Sequence, residues 1–138
     1  MTWAYGSGSD HGAFPKYDND PQQMYAAIVD VVRRVMAENG IETVIPTGTA
    51  IQNLRAGAFN NPPLEFTRDG YHLDTGCGRY TAACTWFQAL VAPCLRTDVA
   101  GNSFRPASQK HTVATAESAA ACQQAAREAC VRRFSVWK

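Results

Sequence analysis

Apolar residues fall along this chain in two rhythms, short β-prone runs and longer stripes at helical spacing. The run Thr2–Tyr5 (TWAY) reads as a short strand, and Gly6 to Asn19 reads as a loop rich in Gly, Ser, Asp and Asn. Asp20-Pro21 is a helix start, because an aspartate can accept from free N–H groups and a proline fits the first turn. Met24, Ile28, Val31 and Val35 then recur on one helical face, widened by Val32 and Met36, and Asn39-Gly40 ends the helix. Glu42–Pro46 (ETVIP) reads as a second strand. Thr49 is placed to cap a short helix holding Ile51 and Leu54, which Gly57 ends. "FNNPPLEF" is loop. Gly78–Val91 reads as a helix with Tyr80, Ala83, Cys84, Phe87 and Leu90 on one side, Trp86 and Phe87 in the core, and Pro93 closing it. Residues 97–107 are turn-rich, and Thr115–Phe134 is an alanine-rich helix, basic towards its end, as the helix dipole favours.

Strands alternating with helices point to an α/β fold with parallel strands between helical layers. Two strands are too few for such a sheet, since parallel strands are buried on both faces. The pattern therefore predicts the back portion of a larger α/β unit. The alternative is a small α+β domain with further, unrecognised strands.

Composition narrows the possibilities. The 138 residues suit one domain, 46% are apolar, and the formal net charge is +1. That balance offers no basis for wholesale nucleic-acid binding. No apolar run approaches a membrane span, and the first residues lack the basic start and apolar stretch of a signal peptide. The five cysteines, Cys77, Cys84, Cys94, Cys122 and Cys130, include no Cys-x-x-Cys and no zinc spacing, so no metal or cofactor is expected. Cys77 and Cys84, seven apart, read as small buried hydrophobes.

The chemistry concentrates in "TRDGYHLDTGCGRY", residues 67–80, where Asp69 stands three residues before His72. A tight turn through Gly70 can bring that carboxylate to the imidazole. A carboxylate on one ring nitrogen fixes the tautomer, and the other nitrogen is then a base suited to neutral pH. Asp-x-x-His before a helix resembles the last sequence block of SGNH (GDSL-type) hydrolases. With "TWAYGSGSDH" and "VIPTGTAIQNLR", the chain resembles more closely an SGNH-like group of uncharacterised bacterial proteins, the DUF4886 family, over roughly residues 2–91.

The resemblance implies a partial three-layer α/β/α, flavodoxin-like sandwich over residues 1–94, followed by an irregular segment and helix of unknown role in 95–138. It implies His72 as general base and Asp69 as its orienting carboxylate, in an esterase acting on a small-molecule or carbohydrate ester. The family's Gly-Asp-Ser block and oxyanion-hole residues have no counterpart here. Ser7 and Ser9 are the nearest imitation of the former and read better as loop residues. The chain alone is therefore expected to be nearly inert, with the nucleophile in an upstream portion of the same protein or, as an alternative, on a complementing partner chain. The other reading is a non-catalytic module that self-associates through an exposed sheet edge. His11, in a loop after a predicted strand, is a further candidate for substrate contact. Asp74 reads as a cap for the next helix, and Asp18, Asn19 and Asp20 as turn and cap residues.

Overall fold

The computed structural model describes residues 1–136, and it is helical. A 3₁₀ turn at Phe14–Tyr17 precedes α1 (Pro21–Asn39), α2 (Thr47–Arg55) and α3 (Cys77–Trp86); a π turn at Phe87–Val91 leads into the short α4 (Ala92–Leu95), and α5 is Ala116–Val131. The start and stop signals of α1 act as the sequence predicts. Asp20 accepts from the Gln22 N–H at 2.7 Å, and Gly40 closes the helix at φ 62°. Thr115 caps α5 in a reciprocal box with Ser118.

The expected parallel-strand α/β layering is not found. Among the described residues there is no strand ladder, only one antiparallel bridge, Thr67 to Leu73. The two β-prone runs find single partners instead of a neighbouring strand. Trp3 donates its indole N–H to the Tyr71 carbonyl at 2.8 Å, the Tyr5 N–H meets the Met24 sulfur, and the Met1 amine donates to the Ile45 carbonyl at 2.8 Å. Glu42 and Thr43 are exposed. β-Branched and aromatic residues favour a pleated, half-buried surface, but that preference yields a strand only where another backbone supplies the ladder.

Helix packing builds the core. α2, α3 and α5 converge on Leu54, Phe66, Cys77, Tyr80, Cys84, Cys122 and the small residues Ala119, Ala125 and Ala126. α5 thus belongs to the same core as the segments before residue 94. A second cluster joins Ala4, Phe14, Met24 and Tyr25. On α1 burial stops there: Val31 and Val35, in the predicted apolar stripe, are 46% and 42% exposed.

Four local expectations are corrected. Thr49 does not cap α2. It lies inside a helix whose every residue is buried, with its hydroxyl 2.8 Å from Tyr25 Oη and donating to the Arg133 carbonyl. Pro93 does not end the helix after α3. The π turn widens the backbone just ahead of it, and the chain continues through α4 to Arg96, which stops it at φ 50°. A proline removes an N–H and crowds the carbonyl four residues back, and a widened turn relieves both. Trp86 and Leu90, expected in the core, are 55% and 45% exposed: Trp86 lies ahead of the π turn, turned away from the buried side of α3 that carries Cys77, Tyr80, Thr81, Cys84 and Thr85, and Leu90 lies within the widened turn. α5 also stops at Val131, three residues short of Phe134.

Candidate functional site

Residues 66–74 form a closed bend. The Arg68 N–H donates to the His72 carbonyl at 2.8 Å and the Asp74 N–H to the Phe66 carbonyl at 3.0 Å, so the two arms run back against each other. Thr67, fully buried, holds the inside: its hydroxyl donates to the Leu64 carbonyl and accepts from the Gly70 N–H. Gly70 sits at φ 88°, where a side chain is strained, and a Cβ there would stand 2.6 Å from the Ser9 Cα. The Gly70 carbonyl in turn accepts from the Gly6 N–H at 2.7 Å. The loop after residue 5 is thereby fastened to the apex of the bend.

At that apex Asp69 and His72 meet. Asp69 Oδ1 accepts from the backbone N–H groups of His72 at 2.8 Å and Tyr71 at 3.2 Å, and Oδ2 lies 2.7 Å from His72 Nδ1. Desolvation by the surrounding protein tends to raise the Asp69 pKa. The hydrogen bonds from the His72 N–H, the His72 ring and the Tyr71 N–H outweigh it and hold the carboxyl down at about 2. An ionised carboxylate only accepts, so the ring proton belongs on Nδ1 and the Nε2 lone pair is left open. Nε2 makes no hydrogen bond to any described residue. The His72 side chain is 53% exposed. Its ring therefore stands in solvent and not in hydrocarbon.

Aromatic rings surround the pair on one side. The Tyr71 ring centroid lies 4.5 Å from His72, 5.1 Å from His11 and 5.9 Å from Tyr5. His11 is thus brought to the bend through Tyr71. Its Nδ1 accepts from the Ala13 N–H at 3.1 Å, which assigns the proton of its neutral ring to Nε2. Neither loop serine bonds to His72. The Ser7 hydroxyl donates to Glu65 Oε1 at 3.3 Å, and the Ser9 hydroxyl accepts from the His11 N–H. Asp74 lies beneath the bend, fully buried. Its Oδ1 accepts from the Gly76 and Gly78 N–H groups at the start of α3, and its Oδ2 accepts from the Thr112 hydroxyl at 2.7 Å. Burial pushes its pKa up, and those three donors oppose the shift.

Sequence reasoning passed over Gln52, Arg55 and Glu65, which form a buried polar cluster beneath the Ser7 loop. The signal was present in "TGTAIQNLR": Gln52 and Arg55 are one turn apart on a helix with no solvent-facing side. Among the described residues no three His, Cys, Asp or Glu side chains gather as a metal site would need, and no helix is long and apolar enough to cross a membrane.

Residues 1–129 match the model of a family described as a domain of unknown function, DUF4886. A crystal structure of a DUF4886 family protein from Bacteroides uniformis is similar to this chain at 39% identity and a TM-score of 0.84. The similarity covers 99% of this chain and 48% of that one, so the chain spans about half the length of the solved relative. No curated protein matches.

Proposed function

The chain belongs to the DUF4886 family, and we propose that its Asp69–His72 bend is the acid–base half of an SGNH-type acyl-ester hydrolase site. The observation that carries this reading is the 2.7 Å contact between Asp69 Oδ2 and His72 Nδ1, beside an unoccupied ring nitrogen. In the proposed reaction a serine hydroxyl donates its proton to His72 Nε2 as its oxygen attacks the acyl carbon. Asp69 stabilises the imidazolium that results, and His72 returns the proton to the leaving alkoxide. Water repeats the sequence and releases the acid. Asp69 fits its part because it stays ionised and already holds the Nδ1 proton.

Ser7 and Ser9 are engaged elsewhere, so the nucleophile is assigned to polypeptide outside the described residues, as are the oxyanion donors. His72 is open to solvent here, and electrostatic catalysis is strongest where water is excluded. A covering polypeptide meets both needs, and the solved relative has about twice the chain. The substrate in this reading is a small-molecule or carbohydrate ester. Self-association through a sheet edge has no sheet to use among the described residues; an interaction role would fall to the exposed valines of α1.

The test is ester turnover. The chain alone is expected to hydrolyse an activated acetyl ester no faster after correction for free imidazole than its His72→Ala variant does. Joined to the complementary portion of a DUF4886 chain, it is expected to turn over esters, with kcat falling on the order of 10³–10⁴-fold in Asp69→Asn. Turnover in the joined protein that is indifferent to His72→Ala contradicts the proposal. Strong His72-dependent turnover by the chain alone contradicts the outside nucleophile.

A further inference from the structure

The apolar stripe of α1 outruns the core that buries it. Met24, Ile28, Val31 and Val35 stand one above another on a helix of 19 residues, which is about 28 Å long. Its first turns are covered. Met24 and Tyr25 are buried against Ala4 and Phe14, and Ile28 and Val29 pack against the same cluster. Beyond Val29 the cover falls away. Val32 and Met36 are half-buried, Val31 and Val35 are 46% and 42% exposed, and Ile41, just past the Gly40 stop, is 46% exposed. Polar groups border the stripe. On one side Asp30 and Arg34 pair across a turn, both exposed, and on the other Arg33 lies over the Phe134 ring at 4.9 Å. The bare apolar side chains are therefore gathered in one strip and not scattered over the helix. Valine loses side-chain freedom in a helix, so Val31, Val32 and Val35 gain nothing there from standing in water.

The size of the strip decides what can cover it. A valine or isoleucine side chain carries on the order of 100 Å² of apolar surface, so Val31, Val35 and Ile41 leave on the order of 150 Å² bare. A stable complex of separate chains buries about 800 Å² on each partner. A second copy seated on this strip would bear the full cost of association for a fraction of that area. Polypeptide joined covalently to the chain bears far less of it. In the solved DUF4886 relative the part matched here is 48% of one chain, so about as much again is joined to it. We propose that the bare end of the α1 stripe, at Val31, Val35 and Ile41, is where the remaining half of a DUF4886 domain packs, with apolar side chains of its own. This docking does not depend on the hydrolase reading.

The test compares one substitution in two settings. Val31→Gln with Val35→Gln is made in this chain, and in a hybrid where this chain replaces the matched part of the Bacteroides uniformis protein. In the chain alone both positions face water and glutamine is the better helix former, so Tm is expected to be unchanged or slightly higher. In the hybrid the two amides are forced into an apolar contact, and Tm is expected to fall by about 5 °C or more. Amide hydrogen exchange over residues 31–39 is expected to be at least ~10-fold slower in the unsubstituted hybrid than in the chain alone. A hybrid that does not fold as one unit, whose Tm ignores the substitution, or whose α1 exchanges as fast as in the chain alone, overturns the proposal. So does a chain that sediments as a dimer and loses that dimer on substitution, because a second copy then occupies the strip.

Discussion

The candidate catalytic pair lies within four consecutive residues. Asp69 bonds to the His72 ring and also to the backbone that carries it, so one carboxylate fixes both the turn and the imidazole. Three donors on an ionised carboxyl imply a depressed pKa, and the direction decides the pH dependence. A carboxyl whose folded pKa is lowered stabilises the fold above its unfolded value, here about 3.8, and that contribution is lost as pH falls through about 2. The effect on stability is small, because the side chain is one-third exposed. The titration itself is the sharper measurement. The Asp69 side-chain carbon, followed by NMR, is expected to titrate with a midpoint near 2, and a midpoint at or above 3.8 contradicts the bond network. This pairing was legible in the sequence, because the spacing and Gly70 define the turn without reference to the rest of the fold. The engagement of Ser7 with Glu65 was not, since the partners are 58 positions apart.

At the scale of elements, two kinds of prediction from sequence separate. Helices that carry their own stop and start residues were legible: Asp20-Pro21 and Gly40 bound α1, and Thr115 begins α5. Elements that depend on a distant partner were not. The runs 2–5 and 42–46 have strand composition but no ladder, and periodicity cannot report a missing neighbour. Beyond Trp86 the face was misread because the π turn at Phe87–Val91 adds a residue to the period ahead of Pro93, whereas Trp86 itself, ahead of that turn, simply lies off the buried side of α3. α2 was legible as a helix but not as a wholly buried one, so its polar residues went unweighed. Asp74 lies between these cases, a cap visible in sequence whose third donor, Thr112, is 38 residues away. Asp74→Ala leaves two N–H groups at the start of α3 and the Thr112 hydroxyl without their acceptor. It is expected to lower the unfolding free energy by about 3 kcal/mol or more, measured by urea denaturation. A loss under about 1 kcal/mol would mean that water replaces the carboxylate and that the bend is not anchored to α3 in this way.

At the scale of the whole molecule, the covered and uncovered surfaces are unevenly distributed. α2, α3 and α5 enclose a full core, while the second half of α1 presents Val31 and Val35 to solvent and His72 stands at an open bend. The chain matches about half of its solved relative, and a site completed by further polypeptide is consistent with a base that has its carboxylate but no hydroxyl. In the proposed hydrolase reading, such a base must be correctly protonated before any substrate arrives. Asp69 must hold the proton on Nδ1 so that Nε2 is free to accept. Long-range ¹H–¹⁵N NMR of the histidine rings, at a pH where they are neutral, reads the tautomer directly. The account predicts His72 in the Nδ1–H form in the wild-type chain and a shift towards Nε2–H in Asp69→Asn. An Nε2–H ring in the wild-type chain, unmoved by that substitution, would contradict it.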